Sequence, residues 1–427
     1  MKNLKIDGKP LSLFRIVHGN DNRACGTVAK KLQEWIRLSC DIVLEIVSDH
    51  NGVNLRGCIV LGALPTHTPK VDAYGDCSMY VQNGTVFVDA ADIVGLATGA
   101  SYFASVLALA VDQNVEGQEI SFRSSMQSRE SYVANTEAFL PAYRFINHIP
   151  VEELTLEHKK QMFNDPKGRS FVIAHRCEHT FYPENSLEAA ISAWCCGADS
   201  IEVDIQKSAD GVWMCMHDAN VTRTTNAEEL LGKEGYPTSP KLCDWTYAQL
   251  RTLRLKDRYG AVTPFPIPTL EEMLKACDGR IFIHLDKRFS YVDDIFPLME
   301  KTGVYEPVYL VNNIKFDGML QLKDRFADQG IRLQNMVRTW DTEETSTYAA
   351  KLLENAQSMT PAIIPLGDYV KYTEETFEAI KPYAGKLRIG AWFLREFDYE
   401  ELWRDGRVHG INIIMTDRPM DVIRLGI

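Results

Sequence analysis

The sequence predicts an α/β protein in two parts, a (β/α)₈ barrel over residues 166–427 preceded by a smaller α/β domain over residues 1–125. Three observations lead there. The 427 residues exceed what one core usually supports, since chains beyond roughly 250–300 residues tend to split into domains. From residue 166 onward, strand-like and helix-like segments alternate to the end of the chain, as they do when crossover helices join parallel strands. Before that point the pattern is shorter and closes on a tight hairpin.

Composition narrows the function. With 45% hydrophobic and 24% charged residues the chain has the make-up of a folded protein. A net charge of −12 and a pI near 5.4 argue against a broad basic footprint for nucleic acid or an anionic membrane. A small anionic ligand stays open, because a few local cations and a metal can outweigh the global field. The ten cysteines, Cys25 to Cys277, show no CxxC spacing and read as buried free thiols of a reducing compartment. The first residues lack the apolar run of a signal peptide. The longest uncharged stretch, Gly95 to Val111, is shorter than the ~20 residues a bilayer span requires. A cytoplasmic protein without stable membrane insertion is therefore expected. Nothing in the sequence bears on its oligomeric state.

In the first part, Asp7-Gly8 turns two short strands. Val28, Leu32, Trp35 and Ile36 then form one stripe of a helix over Thr27 to Leu38. Residues 40–49 and 57–64 read as strands, and 78–90 as a hairpin whose Asn83-Gly84 supplies the positive φ angles of a tight turn. The apolar helix from Gly95 completes the domain. This pattern resembles the non-catalytic α/β domain that precedes the barrel in some glycosidases, such as hexosaminidases and α-glucuronidases. A packing or oligomerisation role is the alternative. Residues 126–165 read as a linker with a helix over Glu152 to Met162.

The barrel part offers nine strand-like segments for eight positions, beginning at residues 171, 199, 212, 280, 308, 332, 362, 387 and 412. Helical stretches such as 186–194, 269–277 and 374–383 lie between most of them. The surplus strand has a reason. Only a short turn around Asp210-Gly211 separates residues 199–205 from 212–218, so these two segments form a hairpin. The fold-back brings His217 level with the acids of the first segment.

Chemistry concentrates at the strand ends. Side chains alternate along a strand, so Glu202 and Asp204 share one face while Ile201, Val203 and Ile205 share the other. The apolar face meets the helices, which turns both acids inward. Buried carboxylates are costly unless neutralised, by a divalent cation or by an internal salt bridge to Arg or Lys. His175 and Arg176 follow an apolar strand at its carboxyl end, where barrel active sites sit. His217 arrives at the end of another strand. Two histidines beside an acid pair suit general acid–base work on a metal-bound ester. A third strand places His284, Asp286 and Arg288 in one phase and Lys287 in the other. Asp286 is the natural third carboxylate, and Arg176, Lys287 and Arg288 are cations suited to a phosphate.

The stretch from His175 to Thr225 resembles the signature of the glycerophosphodiester phosphodiesterase family. The matching pieces are His175-Arg176, Pro183-Glu184-Asn185, Gly197-Ala198-Asp199, Glu202 with Asp204, Asp210-Gly211, His217-Asp218 and Arg223-Thr224-Thr225. Residues 267–274 and 412–419 resemble later parts of the same family. The resemblance implies a TIM barrel and a divalent cation, Mg²⁺ or Ca²⁺, held by Glu202, Asp204 and Asp286. It implies His175 and His217 as the general base and acid, in that order, and Arg176 as a phosphate ligand. Glu184 and Asn185 would shape the site around these groups, and Trp392 would line the alcohol pocket; His284, from its place in the third strand, reads as a group behind the ligands or as an alternative ligand. Two positions depart from the pattern. Cys177 replaces a glycine, and Asp286 stands where the family commonly has Glu. The substrate implied is a small glycerophosphodiester, cleaved to an alcohol and glycerol phosphate. Two alternatives remain: a phosphate-linked sugar, polyol or teichoic-type polymer as substrate, or a barrel that binds a phosphorylated ligand without turnover.

Overall fold

A computed structural model describes residues 4–109 apart from 20–22, 50–51, 70 and 72, then 114–115, 120–122, 151–286, 292–305, 308–312, 332–335, 363–368, 373–394 and 399–425, with a few isolated positions between 347 and 354. The chain divides into two compact units, Met1–His148 and Ile149–Ile427.

In the first unit, β1 (Lys5–Ile6) and β2 (Lys9–Pro10) form the expected hairpin, with Asp7 and Gly8 both at positive φ, and β1 also pairs with β8 (Asn114–Val115). The larger sheet has the order β4-β3-β5-β7-β6-β9. Its strands are β3 (Arg15–Gly19), β4 (Glu45–Asp49), β5 (Cys58–Leu61), β6 (Cys77–Gln82), β7 (Thr85–Ala90) and β9 (Ile120–Phe122). The first four in that order run parallel, and β6 turns back from β7 through Asn83-Gly84. The helices Arg23–Cys40 and Ile93–Leu109 pack on each other and on this sheet. The second helix is buried along most of its described length, which explains its lack of a polar face.

The second unit is a nine-stranded sheet whose main path runs β15-β14-β13-β11-β10-β18-β17-β16. Its strands are β10 (Phe171–Ala174), β11 (Ser200–Lys207), β12 (Trp213–Cys215), β13 (Phe282–Asp286), β14 (Val308–Asn312), β15 (Arg332–Asn335), β16 (Ile363–Asp368), β17 (Arg388–Phe393) and β18 (Ile413–Thr416). Every neighbouring pair on that path is parallel. The surplus segment is β12, which pairs antiparallel with β11, Ile205 facing Cys215 and Lys207 facing Trp213. Each of the nine segments found in the sequence is a strand.

Alternation along these strands sorts the side chains. Val172, Ile389, Ala391, Phe393 and Ile414 pack with Trp403 and Val422 of the covering helices. Phe171, Ile173, Phe282, Ile413 and Met415 turn to the other face and pack with Leu156 and Phe163. Those last two belong to the helix Leu156–Asn164, which the sequence assigned to a linker as a helix over Glu152 to Met162. Its Thr155 side chain caps the helix by accepting from the His158 amide. Phe163 lies 4.6 Å from Phe171 and 5.3 Å from Phe282, centroid to centroid. These aromatic rings cover that face of the sheet near the strand N-termini. The polar side chains of the same face therefore gather toward the carboxyl ends.

Candidate active site

Register fixes the acids. In the β11–β13 ladder Glu202 is level with His284 and Asp204 with Asp286. Each of Glu202, Asp204 and Asp286 offers a carboxylate oxygen, and the three oxygens lie within 4.8 Å of one another. Glu202 and Asp204 are buried, and Asp286 is partly so. Burial, reinforced by the charges of Asp204 and Asp286, pushes the Glu202 carboxyl well above the usual glutamate value. Arg176 is also present: its Nε lies 3.6 Å from Asp204, so one branch of the salt-bridge alternative is realised. Its amide and its charge also lower the Glu202 carboxyl, but burial and the two neighbouring acids outweigh them. A set of hard oxygen donors whose charge is under-compensated fits a divalent cation.

The loop after β10 supports this trio through backbone strain. Arg176, Cys177 and Asn185 all have positive φ, at 50°, 69° and 57°. Such angles disfavour most side chains and cluster where a structure over-determines them. The turn aims the Arg176 amide at Glu202 Oε2, 2.8 Å away. Asn185 donates its amide to the Arg176 carbonyl. Its side chain clasps Asp204 twice, Nδ2 donating to the carboxylate at 3.1 Å and Oδ1 accepting the Asp204 amide at 3.0 Å. Cys177 sits where a glycine is conformationally cheaper. Its thiol is fully buried, 3.9 Å from the Glu202 carbonyl oxygen, and burial holds its pKa well above the ordinary value. A protonated, enclosed thiol fills space; it is no nucleophile.

Both predicted catalytic histidines carry a carboxylate on Nδ1. His175 Nδ1 lies 2.6 Å from Asp417 Oδ1, and His217 Nδ1 lies 2.6 Å from Asp218 Oδ1. A carboxylate only accepts, so each ring donates from Nδ1. Burial would raise the Asp417 carboxyl, but its hydrogen bond to His175 and the neighbouring His179 bring it below the usual range. Asp218 is pulled down to about 2, chiefly by its hydrogen bond from Arg223. Neither acid was assigned a role from sequence, although Asp218 lies in the family-like motif and Asp417 directly follows β18. His179 donates from Nδ1 to the His175 carbonyl (3.0 Å), and its Nε2 lies 3.7 Å from Asp417.

The remaining predicted residues fall as follows. Glu184 accepts from Arg176 at 3.3 Å and from both Arg223 terminal nitrogens at 2.9 and 2.7 Å. Burial alone would raise its carboxyl; these guanidinium groups lower it. His284 is buried, which pushes its imidazole down to about 3 and keeps it uncharged. Trp392 packs, partly buried, on the inner-face cluster with Met415 and Ile413. Lys287 and Arg288 lie outside the described residues. All ten cysteines are free thiols, nine of them buried as expected; Cys243 is the exposed exception, in the polar loop before Trp245.

Residues 175–390 match the glycerophosphoryl diester phosphodiesterase family over half of the chain. The chain belongs to that family. Glycerophosphodiester phosphodiesterase 1 of Bos taurus is 36% identical over 186 residues, covering 42% of this chain and 53% of the relative. The chain thus spans about half the length of that relative. Glycerophosphodiester phosphodiesterase GDPD6 of Arabidopsis thaliana is 28% identical over 260 residues, covering 53% of this chain and 66% of that protein. Among solved structures, a glycerophosphoryl diester phosphodiesterase from Parabacteroides distasonis aligns at a TM-score of 0.49 with 22% identity, covering 62% of this chain and 90% of that one. No described helix is long and apolar enough to cross a membrane.

Proposed function

We propose that this chain hydrolyses small glycerophosphodiesters to an alcohol and glycerol phosphate, with a divalent cation, Mg²⁺ or Ca²⁺, held by Glu202, Asp204 and Asp286. The observation that carries the reading is the clustered carboxylate trio, with the Glu202 carboxyl raised, beside two imidazoles each held at Nδ1 by a carboxylate. Membership of the family supports it. The parallel path from β15 to β16 follows the cyclic strand order of a (β/α)₈ barrel, so we take the sheet to close between its two end strands. Residues 1–125 then form an accessory domain, and the barrel occupies residues 166–427.

A divalent cation held by Glu202, Asp204 and Asp286 would supply Lewis-acid stabilisation to the charge that develops on a phosphoryl oxygen. Arg176 binds a second phosphate oxygen through its guanidinium, and Lys287 and Arg288, which follow Asp286 in sequence, are the further cations suited to a phosphate. His175 Nε2 takes the proton from the nucleophile, either water or a neighbouring glycerol hydroxyl, and His217, entering the step protonated on both nitrogens, gives its Nε2 proton to the departing alkoxide. The hydroxyl route forms a cyclic phosphate before water opens it. Asp417 and Asp218 steady the two rings as their charge changes. Glu184 and Asn185 shape the loop, His284 lends an uncharged ring behind the acids, and Trp392 lines the alcohol side.

The test is a panel of glycerophosphodiesters with different head groups, assayed for released alcohol and glycerol phosphate. Wild-type protein should turn over at least one member, and His175→Ala and His217→Ala should each lose on the order of 10²–10⁴ in kcat. Near-wild-type turnover by His217→Ala would remove the two-histidine mechanism. Binding of a diester without turnover by the wild type would select the non-catalytic alternative.

A further inference from the structure

Arg223 is half exposed, yet acids grip it on both sides. Its terminal nitrogens donate to the two oxygens of Glu184 at 2.9 and 2.7 Å, and its Nε donates to Asp218 Oδ2. Each acid has a second partner in the site. Glu184 also accepts from Arg176, at a long 3.3 Å. Asp218 holds His217 Nδ1 through its other oxygen, at 2.6 Å. The planar guanidinium fork is what allows one side chain to face two carboxylates at set angles.

We propose that Arg223 is a positioning residue that works in two directions at once: it occupies Glu184 so that Arg176 stays available to phosphate, and it fixes Asp218 so that His217 presents Nε2 to the substrate. The proposal rests on the reading of Arg176 as phosphate ligand and His217 as proton-transfer group. Its first half follows from competition. Glu184 is mostly buried and needs a cation. The two short bonds from Arg223 satisfy it, leaving Arg176 with one weak contact there and its Nε toward Asp204. Without Arg223, Arg176 is the adjacent guanidinium, and a full pairing with Glu184 would turn it away from the acid trio. The second half follows from anchorage. Asp218 is steadied at one oxygen by Arg223 and at the other by His217. Losing the guanidinium frees the carboxylate to rotate and with it a ring that is already 36% exposed.

Arg223→Ala, Glu184→Gln and the double variant separate the two halves. Steady-state kinetics on a small glycerophosphodiester with divalent cation, a thermal melt, imidazole ¹⁵N spectra and a crystal structure of Arg223→Ala are the readouts. Arg223→Ala should raise KM about tenfold and lower kcat about 10–100-fold, with a melting temperature close to wild type, as expected for a misplaced catalytic group. The double variant should recover most of the KM, because a neutral amide in place of the Glu184 carboxylate no longer captures Arg176, and none of the kcat. In the Arg223→Ala crystal, Glu184 should pair with both terminal nitrogens of Arg176, and the His217 Nδ1 signal should shift as its hydrogen bond to Asp218 loosens. Equal KM in single and double variants, or a Glu184 that stays at its wild-type distance from Arg176 with an unchanged His217 spectrum, overturns the proposal. Should wild-type protein hydrolyse no glycerophosphodiester, the functional reading fails by itself, and the crystal and spectra still decide what Arg223 does.

Discussion

Asp199 and Glu202 lie three residues apart, both buried, on the same chain segment entering β11. Their carboxyls are perturbed in opposite directions. Burial would raise Asp199, but Arg169 grips it with two bonds of 2.7 and 2.8 Å, Lys159 adds charge, and the Val172 amide donates at 2.9 Å; the result is a pKa below the ordinary value. Glu202 receives one amide, from Arg176, and faces two further acids, and it is raised. Among the described residues, the buried Asp199 at the strand N-termini is matched by cations, whereas the buried Glu202 toward the carboxyl ends is raised by its acid neighbours. Burial alone does not mark a functional acid. An incomplete set of partners does, because folding has no reason to keep such a group unless a ligand completes it.

Breaking the matched end should cost most in stability. Asp199→Ala leaves Arg169 and Lys159 without their counter-charge, and denaturant unfolding should show a loss of about 3–5 kcal/mol, the range for removing one partner of a buried pair. At the unmatched end the same experiment should reverse sign. Glu202→Gln relieves like-charge repulsion, so the ion-free protein should gain about 1 kcal/mol, while cation-dependent hydrolysis disappears. A Glu202→Gln protein less stable than wild type in the absence of cation would show that the trio is already neutralised.

The smallest effect lies in the acid limb. Asp199 is held below its ordinary value of 3.8, so below that pH the unfolded chain binds the proton more readily than the native one. Stability from this group is therefore complete above about pH 4 and is lost as pH falls through the folded value. Asp199→Asn should flatten that part of the pH–stability curve, and an unchanged slope would assign acid sensitivity to other groups.

Much of this arrangement was legible in the sequence, because it depends on alternation within single strands. Glu202 and Asp204 point inward since Ile201, Val203 and Ile205 must meet the helices, and the short Asp210-Gly211 turn leaves room only for a hairpin. What was not legible depends on which distant groups meet. Asp199 looks as functional as Glu202 until Arg169 is placed beside it. The partner of His175 lies 242 residues away, at the end of the last strand. Asp218 adjoins His217 in sequence, but its role becomes visible only when Arg223 and Glu184 close around it. Cys177 illustrates the converse: a side chain replacing a glycine reads as crowding, whereas the left-handed turn carries it into an enclosed spot against the Glu202 carbonyl.

Calorimetric titration of metal-stripped protein with Mg²⁺ and with Ca²⁺ tests the unmatched-charge account most directly. Wild-type protein should take up a divalent ion at the trio, and the uptake should vanish in both Glu202→Gln and Asp204→Asn. Wild-type protein that binds neither ion, or variants that bind as the wild type does, would contradict it.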